Sequence, residues 1–300
     1  MIKKAASAIV CVFLLFSTAC SSSEASDGGQ GDKSPVSGAV SNAGSASNTP
    51  AAEITVEEQV LLDKDGLKIT LKSMADDEIW GPSLKLLVEN SMEKSVGVQI
   101  RNLAINGLMM DSMFSAEVAP GKKSNEEITL VMNDLETASV TTIKDIEFNF
   151  TVFDAGSWNT IFDSETIHIK TSADETFVQT YDDSGFTAFD KDGFKVVIKK
   201  LVSEDSFWGA DIYVYIENNS PKNATIQIRE MSVNGYMLEP IFSSDVLSGK
   251  KAFDTITFLE QDLTDNDIKE IESLEFKFHI FNMDGWDTLL DSETITVSFN

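Results

Sequence analysis

The chain is poor in cysteine, histidine and positive charge, and beyond its first twenty residues it has no long apolar run. Each shortage excludes something. Its two cysteines, Cys11 and Cys20, both sit in the N-terminal segment, so no disulfide is expected in the rest of the chain and stability has to come from hydrophobic burial. Its two histidines, His168 and His279, lack the retained neighbours that a zinc or nucleophile site needs, and both read as exposed strand positions. With 23 Lys and Arg against 49 Asp and Glu the net charge is −26, which excludes nucleic-acid binding and describes a solubilising surface. No Gly-x-Ser-x-Gly elbow is present for serine hydrolase chemistry. No later stretch approaches the roughly 20 apolar residues of a membrane helix.

What the chain does have is a duplication. Trp80 matches Trp208 and Trp158 matches Trp286, each 128 residues on. At the same offset Glu89-Asn90 becomes Glu217-Asn218, Asn106-Gly107 becomes Asn234-Gly235, and Gly121-Lys122-Lys123 becomes Gly249-Lys250-Lys251. Roughly a third of the positions from Trp80 to Lys170 are identical to their partners. A period this long means two copies of a domain rather than a solenoid.

The N-terminus reads as an export signal over residues 1–19: Lys3 and Lys4, an apolar stretch at 8–16, then Ser17-Thr18-Ala19 before Cys20. Cys20 with its following serines resembles a bacterial lipobox, with Ser17 where leucine is usual. The resemblance implies a diacylated Cys20 anchoring the chain to the outer face of the cell membrane. Cleavage by ordinary signal peptidase would instead secrete it. Removal of the signal takes the net charge to about −28. Residues 20–56, rich in Ser, Gly and Ala, are expected to form a flexible tether reaching on the order of 30 Å.

Beyond the tether the apolar period is two, the mark of half-buried strands. Ile146, Phe148, Phe150 and Val152, mirrored by Leu274, Phe276, Phe278 and Ile280, predict core strands. Ile212, Val214 and Ile216 are predicted to face inward, with Tyr213, Tyr215 and Glu217 outward, and Phe114 and Phe242 are read as core. The Asp65-Gly66, Asn106-Gly107, Asp192-Gly193 and Asn234-Gly235 pairs are hairpin signals, and 133–137 has the polarity of a single helical turn. Seven or eight short strands per copy predict an all-β fold of two tandem immunoglobulin-like antiparallel sandwiches, at 57–172 and 185–300, joined by a short linker at 173–184.

The Trp-Gly strand openings (Trp80-Gly81, Trp208-Gly209), the Glu-Asn strand ends and the Gly-Lys-Lys strand entries resemble the telokin-like, immunoglobulin-fold domains of unknown function in lipoproteins of Gram-positive bacteria. That resemblance covers both copies and implies an extracytoplasmic, non-enzymatic role. It implies no ligand.

No residue stands out as catalytic, and no cofactor or metal is expected. Asp63-x-Asp65-Gly66 and Asp190-x-Asp192-Gly193 echo a calcium loop, but its first and twelfth ligand positions fall on apolar residues and lysines, so hairpin turns are expected. Asp163 and Glu165, and Asp291 and Glu293, are expected to share one strand face as edge charges. Arg101 and Arg229 are expected to pair with local carboxylates, Glu89 and Glu217 among them. The candidate contact residues are Trp80, Trp158, Trp208 and Trp286, beside acidic loops, with Tyr213 and Tyr215 as an aromatic outer surface on the second copy. The expected function is a membrane-anchored binding or interaction module with an envelope protein or glycan as partner, the alternative being a carbohydrate- or calcium-binding receptor.

Overall fold

The computed structural model describes residues 54–299 apart from 78, 79, 112, 204, 205 and 207. The signal at 1–19, Cys20 and the tether up to residue 53 lie outside the described residues. The first repeat runs through β1 (Gln59–Lys64), β2 (Leu67–Ala75), β3 (Ser83–Asn90), β4 (Val96–Ile105), β5 (Leu108–Met109), β6 (Ser115–Val118), β7 (Lys122–Thr129), α1 (Met132–Thr137), β8 (Asp145–Asp154), β9 (Thr160–Asp163) and β10 (Ile167–Lys170). The second follows the same order: β11 (Phe186–Lys191), β12 (Phe194–Val202), β13 (Gly209–Asn218), β14 (Ala224–Val233), β15 (Tyr236–Met237), β16 (Ser243–Val246), β17 (Lys251–Leu259), α2 (Glu260–Asp265), β18 (Ser273–Asn282), β19 (Thr288–Asp291) and β20 (Ile295–Ser298).

In each repeat two antiparallel sheets enclose one core. The order β1-β2-β3-β7 opposes β10-β8-β4, with β6 on β4 and β9 on β8, and the second repeat places β11-β12-β13-β17 against β20-β18-β14 in the same way. This is the strand order of an immunoglobulin-type Greek key, so the chain is all-β with two such sandwiches. The period-two rows account for it: Ile146, Phe148, Phe150 and Val152 are fully buried, as are Leu274, Phe276, Phe278 and Ile280. They meet Leu84, Leu86 and Val88, or Ile212, Val214 and Ile216, from the facing sheet. Each such side chain contributes about 1.5–3 kcal/mol by leaving water.

The four hairpin signals are two-residue turns with positive φ at both positions, such as 50° at Asp65 and 90° at Gly66. That is the geometry matching the twist of the flanking strands. Ten strands per repeat replace the seven or eight predicted. Two-residue β5 and β15 escape a periodicity search, and the last strand is broken in two. At the break the Ser164 N–H donates to the Phe150 carbonyl and its hydroxyl accepts from the Phe150 N–H, both at 2.8 Å, and Ser292 treats Phe278 likewise. Asp163 and Glu165 therefore do not share a strand face, nor do Asp291 and Glu293. The tether boundary also shifts, because Val56 bridges Thr171 and the Ser172 N–H donates to Thr55 at 2.8 Å, which joins residues 54–56 to the first sandwich.

The two repeats form one compact unit. Strand β5 pairs in parallel with β17 through Leu108 with Lys251 and Met109 with Ala252, which fuses one sheet from each repeat into a ten-stranded sheet. Lys250 reaches Glu147 at 2.5 Å with both side chains largely covered. The linker is strapped down. Lys144 donates to the Glu175 and Phe177 carbonyls, the Tyr181 hydroxyl donates to the Asn106 carbonyl at 2.7 Å, and Asp182 and Asp183 pair with Lys199 and Lys195. Lys199 and the Ser184 hydroxyl hold the Asp182 carboxyl well below the usual carboxylate range.

Candidate functional site

All four tryptophans are exposed, between 59% and 78%. Trp158 sits in the loop between β8 and β9. Asp154 Oδ1 accepts from the Gly156 and Ser157 N–H groups at 3.0 Å, and the Trp158 N–H donates to the Asp154 carbonyl at 2.7 Å. This tight turn sets Trp158 at φ 61° and lays its ring on Phe153, centroids 5.2 Å apart and 15° from parallel. Beneath Phe153 lies Gly97, where any Cβ would collide with the phenyl ring. The second repeat rebuilds the same stack: Trp286 at φ 61° donates to the Asn282 carbonyl at 2.8 Å and lies on Phe281, 5.6 Å and 16°. A bulky residue in left-handed backbone costs about 1–3 kcal/mol. Both repeats accept that strain and gain an aromatic face open to solvent.

Trp80 and Trp208 sit between β2 and β3 and between β12 and β13. The Trp80 N–H donates to Asp77 Oδ1 at 2.9 Å and that of Trp208 to the Ser206 hydroxyl at 3.3 Å, while Glu78, Glu204 and Asp205 of the expected acidic loops lie outside the described residues. Gly81 and Gly209, at φ 99° and 143°, let the backbone pass against residues 130–132 and 258–260 with no room for a Cβ. Trp80 thus lies at the α1 end of its sandwich and Trp158 at the other, about 30 Å away along β8. One small ligand cannot engage both rings of a repeat.

The remaining sequence candidates divide. Tyr213 lines a cleft between the repeats, whereas Tyr215, predicted to face solvent, is fully buried. Its ring lies 5.1 Å from Phe253 and its hydroxyl donates to Glu217 at 2.8 Å, with burial pushing the phenol far above its usual range. The period-two rule put it outward correctly, but Phe253, which itself packs on the first core, lies over that face with the linker close by. His279 is likewise buried rather than exposed, its Nδ1 2.6 Å from Asp291, while His168 is exposed. Arg101 and Arg229 form no ion pair among the described residues; Glu89 pairs with Lys123, which holds its carboxyl below the usual range. Asp63 and Asp190 lie in β1 and β11, and Asp65 and Asp192 form the hairpin turns that follow. Phe114 is buried and Phe242 packs against the second core.

Sequence reasoning missed the inter-repeat cleft, of about 600 Å³, lined by Arg101, Asp111 and Asp134 from the first repeat and Tyr213, Asp245 and Asp254 from the second. No local pattern announces it, since its acids lie on separate elements. Burial, reinforced by Asp111 and then Asp254, pushes the Asp134 carboxyl up to about 6, against a hydrogen bond from the Asp111 backbone. Burial also raises Asp254, though the Ser244 hydroxyl and the Thr255 N–H at 2.7 Å favour its charge. Among the described residues no three acidic, histidine or cysteine side chains are grouped to hold a metal ion, and no helix is long and apolar enough to cross a membrane.

A carboxyl raised on folding adds stability that is complete below its unfolded value, near 4, and is lost as pH rises through about 6. Asp134→Asn should therefore raise the melting temperature at pH 7.5 by about 2–4 °C and leave it nearly unchanged at pH 4. Thermal melts at the two pH values check this. A variant less stable at pH 7.5 would assign the carboxylate a net favourable contact.

No family model matches the chain, and no curated protein matches it in sequence. Solved structures with some likeness include the CsuC–CsuE chaperone–tip adhesion subunit pre-assembly complex of Acinetobacter baumannii pili, 14% identical over 74% of this chain and 97% of that chain, with a TM-score of 0.22. The SafA pilin of Salmonella enterica in complex with the SafB chaperone is 10% identical over 72% of this chain and 89% of that one, at 0.19. Red sea bream transglutaminase is 10% identical over 78% of this chain and 31% of that one, at 0.20. At these TM-scores the likeness carries no argument.

Proposed function

We propose that this chain is a non-catalytic interaction module of the cell envelope, anchored through lipid on Cys20 and held off the membrane by its Ser/Gly/Ala tether. The observation that carries the reading is the pair of strained, solvent-facing tryptophan stacks, Trp158 on Phe153 and Trp286 on Phe281. A flat apolar ring fixed by a second ring beneath it, with carboxylate and amide groups in the same turn, suits the face of a sugar ring. Envelope glycan is accordingly the contact of first choice. The resemblance of the Trp-Gly, Glu-Asn and Gly-Lys-Lys motifs to those of telokin-like lipoproteins of Gram-positive bacteria agrees with this role.

Tryptophan emission titrated with soluble cell-wall glycan fragments tests the proposal. The expected result is a quench with a blue shift that disappears in the Trp158→Ala/Trp286→Ala double variant and persists in Trp80→Ala/Trp208→Ala. A flat titration, or a response that survives loss of both stacked rings, would end it.

A further inference from the structure

The junction between the repeats uses surfaces that the chain carries twice. The first repeat presents its Asn106-Gly107 turn and β5 to the opening of β17. There the Lys251 N–H donates to the Gly107 carbonyl at 3.0 Å and Lys250 pairs with Glu147. At the 128-residue offset Asn106, Gly107, Met109 and Glu147 become Asn234, Gly235, Met237 and Glu275, while Lys250 and Lys251 correspond to Lys122 and Lys123. A second hairpin and a second strand opening therefore exist, one in each repeat.

Both are uncovered. Among the described residues β15 pairs only with β14, Tyr236 and Met237 are 52% and 68% exposed, Glu275 is exposed, and nothing lies within 4 Å of a Cβ placed on Gly235. Met109, by contrast, packs partly against the second core. On the other side Lys122 and Lys123 are exposed, and Lys122 forms no ion pair among the described residues. The register of Glu89 with Lys123 matches that of Glu217 with Lys251, so the Lys123 N–H points away from β3 as the Lys251 N–H points away from β13.

We infer that a second copy of this chain docks at these two surfaces, head to tail. The β15 hairpin of one molecule adds in parallel to the opening of β7 on the next, with Tyr236 and Met237 beside Lys123 and Ser124, the Lys123 N–H on the Gly235 carbonyl, and Lys122 on Glu275. Lysines usually blunt a sheet edge. In β17 the same two lysines take part in the pairing, so here they specify it. Each molecule offers one hairpin and one opening, so the contact is heterologous and does not close at a dimer. It lacks the counterpart of Phe253, which is replaced by Asn125, so it is weaker than the internal junction. This inference stands apart from the tryptophan contacts.

Sedimentation velocity of the full-length chain over a wide concentration range tests it. The average mass should rise with concentration without levelling at twice the monomer. Lys122→Glu and Glu275→Lys should each weaken association about tenfold or more, by setting like charges together. An equimolar mixture of the two variants should recover it, because every junction of an alternating assembly again joins opposite charges. A chain that stays monomeric, a plateau at a dimer, a single variant that associates like the parent, or a mixture that fails to recover would each overturn the inference.

Discussion

Replacing Asn218 with alanine is expected to cost about 3–5 kcal/mol, enough to unfold the second repeat at moderate denaturant. Asn218 closes β13, is completely buried, and has every part of its amide in use. Its Nδ2 donates at 2.8 Å to the Lys222 and Val246 carbonyls, and its Oδ1 accepts from the Ser220 N–H at 3.0 Å and the Ser220 hydroxyl at 2.7 Å. One side chain thus ties the end of β13 in one sheet to β16 in the other and shapes the loop that leads from β13 to β14. Truncation leaves the Val246 carbonyl and the Ser220 N–H without this partner in a buried site, at about 1–3 kcal/mol for each unsatisfied group, while the Ser220 hydroxyl still donates to the Lys222 carbonyl at 3.2 Å. Asn218→Asp should be no milder, because a carboxylate would face the same two carbonyls with nothing to donate. Urea denaturation followed by far-ultraviolet dichroism measures the loss. A midpoint within error of the parent would mean that this amide network is not what joins the sheets. Asn90 repeats the arrangement, with 2.8 Å bonds to the Lys94 and Val118 carbonyls, so the effect should transfer to the first repeat.

The same residue shows how far the sequence is readable. The duplicated Glu-Asn pair marks the end of a strand, and the structure supplies the reason, a buried amide that no other side chain can replace. Duplicated Asp-Gly and Asn-Gly turns and period-two apolar rows are equally legible, because each is local: turn geometry selects residues with positive φ, and one buried face selects alternation. Tyr215, His279 and β5 were not legible in the same way. Tyr215 alternates as an outward residue should, and it is covered by residues from other elements, Phe253 of β17 among them. His279 matches Thr151, and both turn to the acid at the break in the last strand, Asp291 and Asp163. That break depends on a serine bonding across to the next strand. The tryptophans were found by their duplication, yet only the backbone angles and ring stacking separate Trp158 and Trp286 from the corner pair Trp80 and Trp208.

Tyr215 carries the second large effect. Tyr215→Ala empties a fully buried aromatic site and should cost about 3–5 kcal/mol, whereas Tyr215→Phe keeps the ring and should cost about 1 kcal/mol. Glu217 retains the Asn219 amide at 3.1 Å, so the phenylalanine variant leaves that carboxylate partnered. The alanine variant should do more than lower stability. Tyr215 lies against Phe253, and Phe253 packs in turn on the first core, so the ring supports the surface on which the linker and the first repeat rest. Leu87, in the same place on the first repeat, stays half-buried with no repeat docked over it, and Leu87→Ala should therefore lower stability without uncoupling anything. The parent chain, with one sheet running through both sandwiches, is expected to melt in a single calorimetric transition, and Tyr215→Ala in two, the second repeat first. Lys250→Ala should move the same way by about 2 kcal/mol or less, since it leaves Glu147 largely covered and unpaired by its interface partner. If Tyr215→Ala melts in one transition at a lower temperature, the ring stabilises its own sandwich alone, and the coupling lies in the parallel pairing of β5 with β17.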